Sequence, residues 1–575
     1  MSVQEQSGTP GERTTHGSAT PHGRATTHDH ATTRGHAAAH GRTAAHDRTA
    51  YDYIVVGAGS AGCVLAARLS EDPTVRVALV ESGGPDRKLE IRIPAAFPKL
   101  FKTPYDWNLH TVAQPGLDGR ELYWPRGHVL GGSSSINAMM WVRGHRDDYD
   151  AWARSAGEDW SHDTFVRYFR RAEQWTGPTT ASSVHGTEGP LFISPPRDPS
   201  PLSAAFLAAC RSEGLAELPE LNVPDHSGCA LTPLNQRRGR RWSAADGYLK
   251  RAARRANLDV LTGTRVRALA FDGPRVTGVH TEAGPGRLTA RREVILSAGA
   301  IGSPHLLLRS GIGDPEELGA AGIEVRAASP DVGRNLQDHL SFAVTVRCPR
   351  PVSLTGADTP ANLARYFLAR RGPLTSNVGE AAAFIRSTPE QTAPDLELIF
   401  APAPFVDHGL AAPTEHGITL GVILLQPGST GRITLAPDSA GVRIDPGYLT
   451  DASDLRRLIA GVRRAESLLA SPRLAAYTGE PMGFYPGVVD DTELARAIRG
   501  AAETLYHPVG TCRMGEDEGS VTDPRLRVRG VSGLRVVDAS VMPRITRGHT
   551  HAPTVALAER AAELIRADAR AGTGR

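Results

Sequence analysis

Cysteine is scarce in this 575-residue chain: there are five, with no C-x-x-C pair. That excludes a disulfide framework or a cysteine-rich zinc site as the basis of the fold, and it suits a reducing, cytoplasmic setting. Aromatic residues make up only 6%, which argues for a mixed apolar pocket rather than a dedicated aromatic cage. No run of eighteen uncharged apolar residues occurs, so no membrane span is expected. Neither charge dominates. Sixty-five basic against 62 acidic residues leave a formal +3, too little for a global field that would draw nucleic acid or an anionic membrane. What is present is ordinary globular material, 40% apolar and 22% charged, long enough for roughly three or four domain-sized units.

Residues 1–50 stand apart. They are Thr, Ala, His, Gly and Arg with almost no large aliphatics, and they hold seven of the 21 histidines. His16, His22 and His28 lie six apart, as do His30 and His36, and His40 and His46. Such a low-complexity repeat cannot bury a core, so a disordered, solvated tail is expected, with metal binding as the other reading. No apolar stretch follows a basic start, so the segment does not read as a secretory signal.

From Tyr51 the pattern changes. Tyr51–Val56 is a short β-branched strand ending at glycines, Ser60–Leu69 a small-residue helix, and Val75–Val80 a second strand closed by Glu81. Together they make a β-α-β unit of about thirty residues. Its turn, Gly57-Ala-Gly59-Ser60-Ala61-Gly62, is G-x-G-x-x-G, and Glu81 follows nineteen residues after Gly62. In that context the motif predicts a dinucleotide site. Gly57 allows the tight turn, Gly59 lets the backbone approach a pyrophosphate, and Gly62 lets helix pack on strand. The helix N-terminus offers amide donors, and Glu81 would accept from an adenosine ribose. The motif does not separate FAD from NAD.

Two further loops bear on that choice. Gly127–Asn137 contains Gly131-Gly132-Ser133-Ser134-Ser135, whose amides and hydroxyls suit a pyrophosphate or a flavin edge. Ser297–Pro304 is a small-residue turn between strand and helix, where a ligand can approach the backbone closely. Downstream, Arg292–Leu296 and Leu534–Asp538 read as strands, and Pro304–Leu308, Asp454–Leu469 and Pro553–Ala567 as helices. Proline-rich stretches near 177–202, 349–360 and 399–413 read as loops.

Six segments, in order, resemble the glucose–methanol–choline (GMC) family of FAD oxidoreductases: Gly57–Glu81, Gly131–Asn137, Gly299–Gly313, Val332–His339, Tyr506–Thr511 and Gly533–Pro543. The resemblance runs from about Tyr51 to Ala567. It implies an α/β fold, with a Rossmann-like FAD-binding domain assembled from residues 51–145, 230–345 and 500–575. A substrate-binding domain of 146–229 and 346–499, a sheet backed by helices, would cover the flavin. It also implies that Ala138 lies near the flavin, that the Val266 backbone meets adenine, that Asp538 and Ala539 lie near the pyrophosphate or flavin, and that His549, Thr550 and His551 face its reactive end.

The implied chemistry is oxidation of a primary alcohol to an aldehyde, with the hydride passing to flavin N5. A base titrating near neutrality suits the hydroxyl proton. His507 stands at the family's catalytic histidine and is expected to be that base. His549 is expected to hold the substrate oxygen and stabilise alkoxide charge; which of the two is the base stays open at this stage. Ile136 stands where some choline oxidases attach FAD through a histidine, so non-covalent FAD is expected. Ala138 in place of an active-site serine, together with His549, argues against choline itself. The electron acceptor (quinone, carrier protein or dioxygen) is not legible, and a dehydrogenase is preferred to an oxidase. A hydroxynitrile lyase and a redox-silent FAD-binding protein are the alternatives.

Overall fold

The computed structural model describes residues 49–572 except 179–183, 283, 412–413 and 438–440. The histidine-rich tail expected at 1–50 lies almost wholly outside the described residues.

The predicted β-α-β unit is present as strand Ala50–Val56, helix Ser60–Leu69 and strand Val77–Val80. Every residue of Val77–Val80 is buried, as a parallel strand covered on both faces requires. Around this unit grows a seven-stranded sheet. Its order is Leu258–Leu261, Val77–Val80, Ala50–Val56, Arg287–Leu296, Arg275–Thr281, Val266–Asp272. The first four run parallel and the last two antiparallel. Arg287–Leu296 is long enough to change neighbours: its first half pairs with Arg275–Thr281, and its last three residues pair in parallel with Leu534–Val536. The chain's last strand is thereby returned to the first sheet. The closing helix, His551–Gly572, begins two residues before the expected Pro553 and packs on helix Ser60–Leu69. Arg68 donates from Nε and Nη2 to the fully buried carboxylate of Glu559 at 2.7–3.0 Å, and the Tyr248 hydroxyl donates to it at 2.7 Å. A buried carboxylate so paired locks the two helices together, and loss of one partner would strand its charge.

A second, antiparallel sheet has the order Pro481–Met482, Leu340–Arg347, Gly417–Leu424, Leu396–Ala401, Ala381–Ile385, Gly228–Leu231; Glu503–Thr504 also pairs with Leu340–Ser341. One face is apolar and packs on helices. Leu458, Val462 and Ala465 of helix Ala452–Ala470 share a core with Val344, Leu398 and Leu420. Phe206 of helix Pro201–Ser212 stacks on Phe400 at 4.9 Å. The other face, at alternate positions Ser341, Ala343, Ile399, Ala401, Thr419, Gly421 and Ile423, lines a cavity; the period of two sends successive side chains to opposite faces.

Strands Gly228–Leu231 and Leu340–Arg347 each straddle an expected domain boundary, because strand pairing, invisible in composition, assigns them to the second sheet. Two expected loops also contain strands: Leu191–Ile193 pairs with Glu173–Trp175, and Leu396–Ala401 runs into the 399–413 stretch. Among the described residues, no helix is long and apolar enough to cross a membrane.

Candidate functional site

A cavity of about 680 Å³ lies between the first sheet's glycine turn and the second sheet's open face. Of the residues singled out from sequence, Gly57, Gly59, Ser60, Ala61, Glu81, Gly132, Ser133, Asn137, Ala138, Val266, His507, Asp538, Ala539, His549, Thr550 and His551 all line it. Gly62 and Gly131 do not; they act behind its wall. A Cβ on Gly62 would lie 1.8 Å from the Gly57 carbonyl oxygen, and Gly131 sits at φ +89. Only glycine allows that closeness or that backbone without strain.

The far end of the cavity fits a dinucleotide. A Cβ on Gly59 would meet nothing within 4 Å, so its backbone faces open space. Gly57, at φ +98, would drive a Cβ to 2.5 Å from the Ser297 oxygen. Gly132 approaches Gly59 so closely that a Cβ would lie 2.7 Å from its Cα, which joins the two glycine loops into one cradle. The Glu81 carboxylate accepts from the Ala58 and Gly83 amides, both at 2.8 Å, and burial raises its pKa. Asp538 accepts from Gly299 N (2.9 Å), Ser303 Oγ (2.6 Å) and Ser540 N (2.8 Å), tying the Ser297–Pro304 turn to the chain's last strand. The His551 ring bonds Ser60 Oγ through Nδ1 at 2.9 Å, while its buried Nε2 has no partner. Burial, reinforced by Arg241, pushes His551 down to about 4, so the ring is neutral. Asn377 Oδ1 is likewise buried, unpartnered and on a residue of the cavity wall. Orphaned polar atoms around an open glycine cradle are what a polar ligand would satisfy.

At the other end stand the two histidines, ring centroids 5.0 Å apart and nearly perpendicular. His507 follows strand Glu503–Thr504, and its backbone is held from the Val332–His339 segment. Asp338 accepts from His507 N at 2.7 Å and from Thr504 Oγ1 at 2.6 Å, and Val509 pairs with Gln337. Before it, Tyr506 is at φ +69, its carbonyl held by Arg126 at 2.7 Å. Val378, also on the wall, is at φ +72, a strained position for a β-branched residue. His507 Nδ1 is 3.0 Å from His339 Nδ1, and His339 Nε2 is 3.0 Å from the Leu425 carbonyl. The carbonyl can only accept, so His339 Nε2 bears its proton. Burial pushes His339 down to about 3, so the ring is neutral and its Nδ1 accepts. His507 Nδ1 therefore donates. Burial, with His549 and His339 beside it, pushes His507 well below 6.5. The network thus assigns a neutral His507 whose Nε2 carries the lone pair.

His549 lies on the loop between the last strand and the closing helix. Asp148 accepts from Arg547 N (2.7 Å) and Nη1 (2.5 Å), and Gln337 accepts from Ile545 N at 3.2 Å. His549 Nε2 is 3.1 Å from Oε1 of Glu397, a buried carboxylate in the middle of the second sheet. Glu397 escaped the sequence reading. Its signal was a single acid in an otherwise apolar strand, Leu396-Glu-Leu-Ile-Phe-Ala401. His339 and Asp338 were visible only as part of a motif, with no role attached. Although aromatics are few in the chain, Phe97, Phe101, Trp107, Phe342, Phe405 and Tyr506 are among the residues that line this cavity, with Phe97 stacked on Phe405 and Phe101 5.9 Å from Tyr506. Composition is an average; folding gathers distant residues at one wall.

Residues 51–341 and 427–558 match the two family models described as GMC oxidoreductase. An uncharacterized GMC-type oxidoreductase of Mycobacterium tuberculosis is 50% identical over 526 residues, covering 90% of this chain and 99% of its own. An alcohol dehydrogenase (acceptor) of Pseudomonas putida is 40% identical over 532 residues, covering 90% and 95%. The solved pyridoxine 4-oxidase of Mesorbium loti superposes with a TM-score of 0.81 at 36% identity, covering 89% of this chain and 98% of its own. The fold and the site define an FAD-dependent oxidoreductase, and the chain belongs to the GMC oxidoreductase family. FAD is its cofactor, matched by the glycine cradle at one end of the cavity.

Proposed function

We propose that this enzyme oxidises a primary alcohol to an aldehyde, His507 taking the hydroxyl proton and His549 holding the substrate oxygen. The observation that carries this reading is the chain from Leu425 through His339 to His507. It leaves a proton-accepting nitrogen on a ring that faces His549 across the cavity. FAD, when bound, supplies the acceptor for the hydride. His507 Nε2 accepts the proton as the oxygen becomes an alkoxide. When both nitrogens of His549 carry protons, Nε2 donates to Glu397 and Nδ1 is left to donate to the oxygen. The second sheet's cavity face and the rings of Phe97, Phe101, Phe405 and Tyr506 exclude water and make the substrate end largely apolar.

At the cofactor end, Gly57, Gly59, Ser60, Ala61, Gly132 and Ser133 would surround the pyrophosphate, Glu81 the ribose, and Val266 the adenine. Asn137, Ala138, Asp538, Ala539, Thr550 and His551 would surround the flavin. The N-terminus of the closing helix, which begins at His551, would support negative charge on the ring system. Ile136 has no nucleophile, which favours FAD held without a covalent bond. The expected FAD-binding and substrate-binding segments are retained as a functional division along these two ends. Dehydrogenase activity is preferred to oxidase activity, in line with the Pseudomonas putida relative's name.

The test is anaerobic mixing of the holoenzyme with a panel of primary alcohols while following flavin absorbance near ~450 nm. Bleaching by an alcohol supports the proposal, and slow recolouring in air supports a dehydrogenase. Cyanide release from a cyanohydrin, with no bleaching by any alcohol, would identify a lyase and overturn it.

A further inference from the structure

We propose that the helix Pro360–Ala369, with the arginine-rich turns beside it, docks this enzyme on an anionic lipid bilayer. Only Tyr366 of this helix is buried. It anchors inward, its hydroxyl donating to the Arg92 carbonyl at 3.1 Å, in a small apolar cluster with Ile93, Ala96 and Leu374. The two residues that follow point outward: Phe367 is 44% exposed and Leu368 89% exposed. Adjacent large apolar side chains on one outward helical turn lose free energy in water and invite a cover.

The charge around them says which cover. Arg365 lies on the same helix, and Arg370 and Arg371 end it. The hairpin turn carrying Arg237 and Arg238 abuts this end: a Cβ on Gly239 would lie 2.7 Å from the Arg370 carbonyl oxygen and 3.1 Å from Arg197 Cδ. Six arginines thus gather at the end of the helix that carries Phe367 and Leu368, the Arg237 guanidinium lying over Phe192 and Trp242, in a protein whose formal net charge is only +3. Among the described residues, Asp198, 3.4 Å from Arg371, is the one carboxylate paired with any of them. Outward apolar side chains beside a cationic cluster are the pattern of a surface lying in the headgroup layer: the rings and aliphatics enter the acyl boundary while guanidinium groups meet phosphates. The patch is continuous with the active-site wall. The turn Pro94–Leu100 gives Ala96 to the cluster under Tyr366 and Phe97 to the cavity. Docking here would bring that wall close to lipid, where apolar alcohols and lipid-soluble acceptors concentrate.

The experiment is co-sedimentation of the full-chain holoenzyme with vesicles of phosphatidylcholine containing one-third phosphatidylglycerol, at low and at high salt. Binding at low salt that is released at high salt, and little binding to pure phosphatidylcholine, is expected. The double variants Phe367→Ser/Leu368→Ser and Arg238→Glu/Arg365→Glu should each cut the bound fraction roughly tenfold, with alcohol oxidation by a soluble dye unchanged. Failure of the parent protein to sediment, or binding by both variants at its level, would overturn the proposal. So would a dimer in solution that Phe367→Ser/Leu368→Ser splits, because a second copy would then be the cover.

Discussion

Replacing His339 by phenylalanine tests the proton assignment at its root. The change keeps a planar ring of similar size in a fully buried position but removes the acceptor for His507 Nδ1–H, now 3.0 Å away. A buried donor left without a partner costs about 1–3 kcal/mol. The cheapest escape is for His507 to move its proton to Nε2, which a neutral imidazole does readily. That tautomer has no lone pair on the nitrogen proposed to meet the substrate. If the penalty is fully expressed in the transition state, kcat/KM falls roughly 5- to 150-fold. His339→Asn separates chemistry from packing, since its Oδ1 can accept in place of Nδ1 and should retain most of the activity. The assay is stopped-flow flavin reduction under anaerobic conditions with a bleaching alcohol. Equal losses in the two variants would mean that His339 matters as volume alone, and unchanged rates in His339→Phe would refute the relay.

Four further outcomes are expected. Because His507 is held well below 6.5 by burial and by His549 and His339, its active neutral form persists through pH 6.5–8. Any loss of kcat/KM due to its protonation should begin only in more acidic solution, and a limb near pH 6.5 that survives Glu503→Gln would contradict this. Glu503 is pushed up to about 7, chiefly by burial, so the folded state binds its proton more tightly than the unfolded chain does, and ionising it weakens the fold as pH rises from 4.5 through 7. Thermal unfolding should therefore show Glu503→Gln more stable than the parent at pH 8 and equal to it below pH 4.5. Gly59→Ala should fold normally, since its Cβ meets nothing within 4 Å, yet lose flavin on gel filtration, whereas Gly62→Ala, with a contact of 1.8 Å, should lower the melting temperature as well. All five cysteines are buried free thiols, so a thiol reagent should find essentially none in the native protein and five after denaturation.

The sequence alone carried the dinucleotide turn, because G-x-G-x-x-G is a local requirement. Gly57 needs its positive φ, Gly59 its open side and Gly62 its close approach, all settled within one strand–turn–helix. Helix Ser60–Leu69 was legible to the residue, and Ala452–Ala470 nearly so, because their apolar spacing is itself local. The resemblance located His507 and His549 as residue types in motifs, but it could not give the protonation of either ring. That depends on His339 and Leu425, which meet His507 only when strand Glu503–Thr504 is laid beside Leu340–Ser341. Glu397 reaches His549 across 152 positions of sequence, and a lone acid in an apolar strand announces burial without naming its partner. Aromatic residues are only 6% of 575 residues, yet folding brings Phe97, Phe101, Phe405 and Tyr506 together beside His507. Local stereochemistry is written in short stretches of chain. The state of a proton is set by whatever the fold brings within about 3 Å of it.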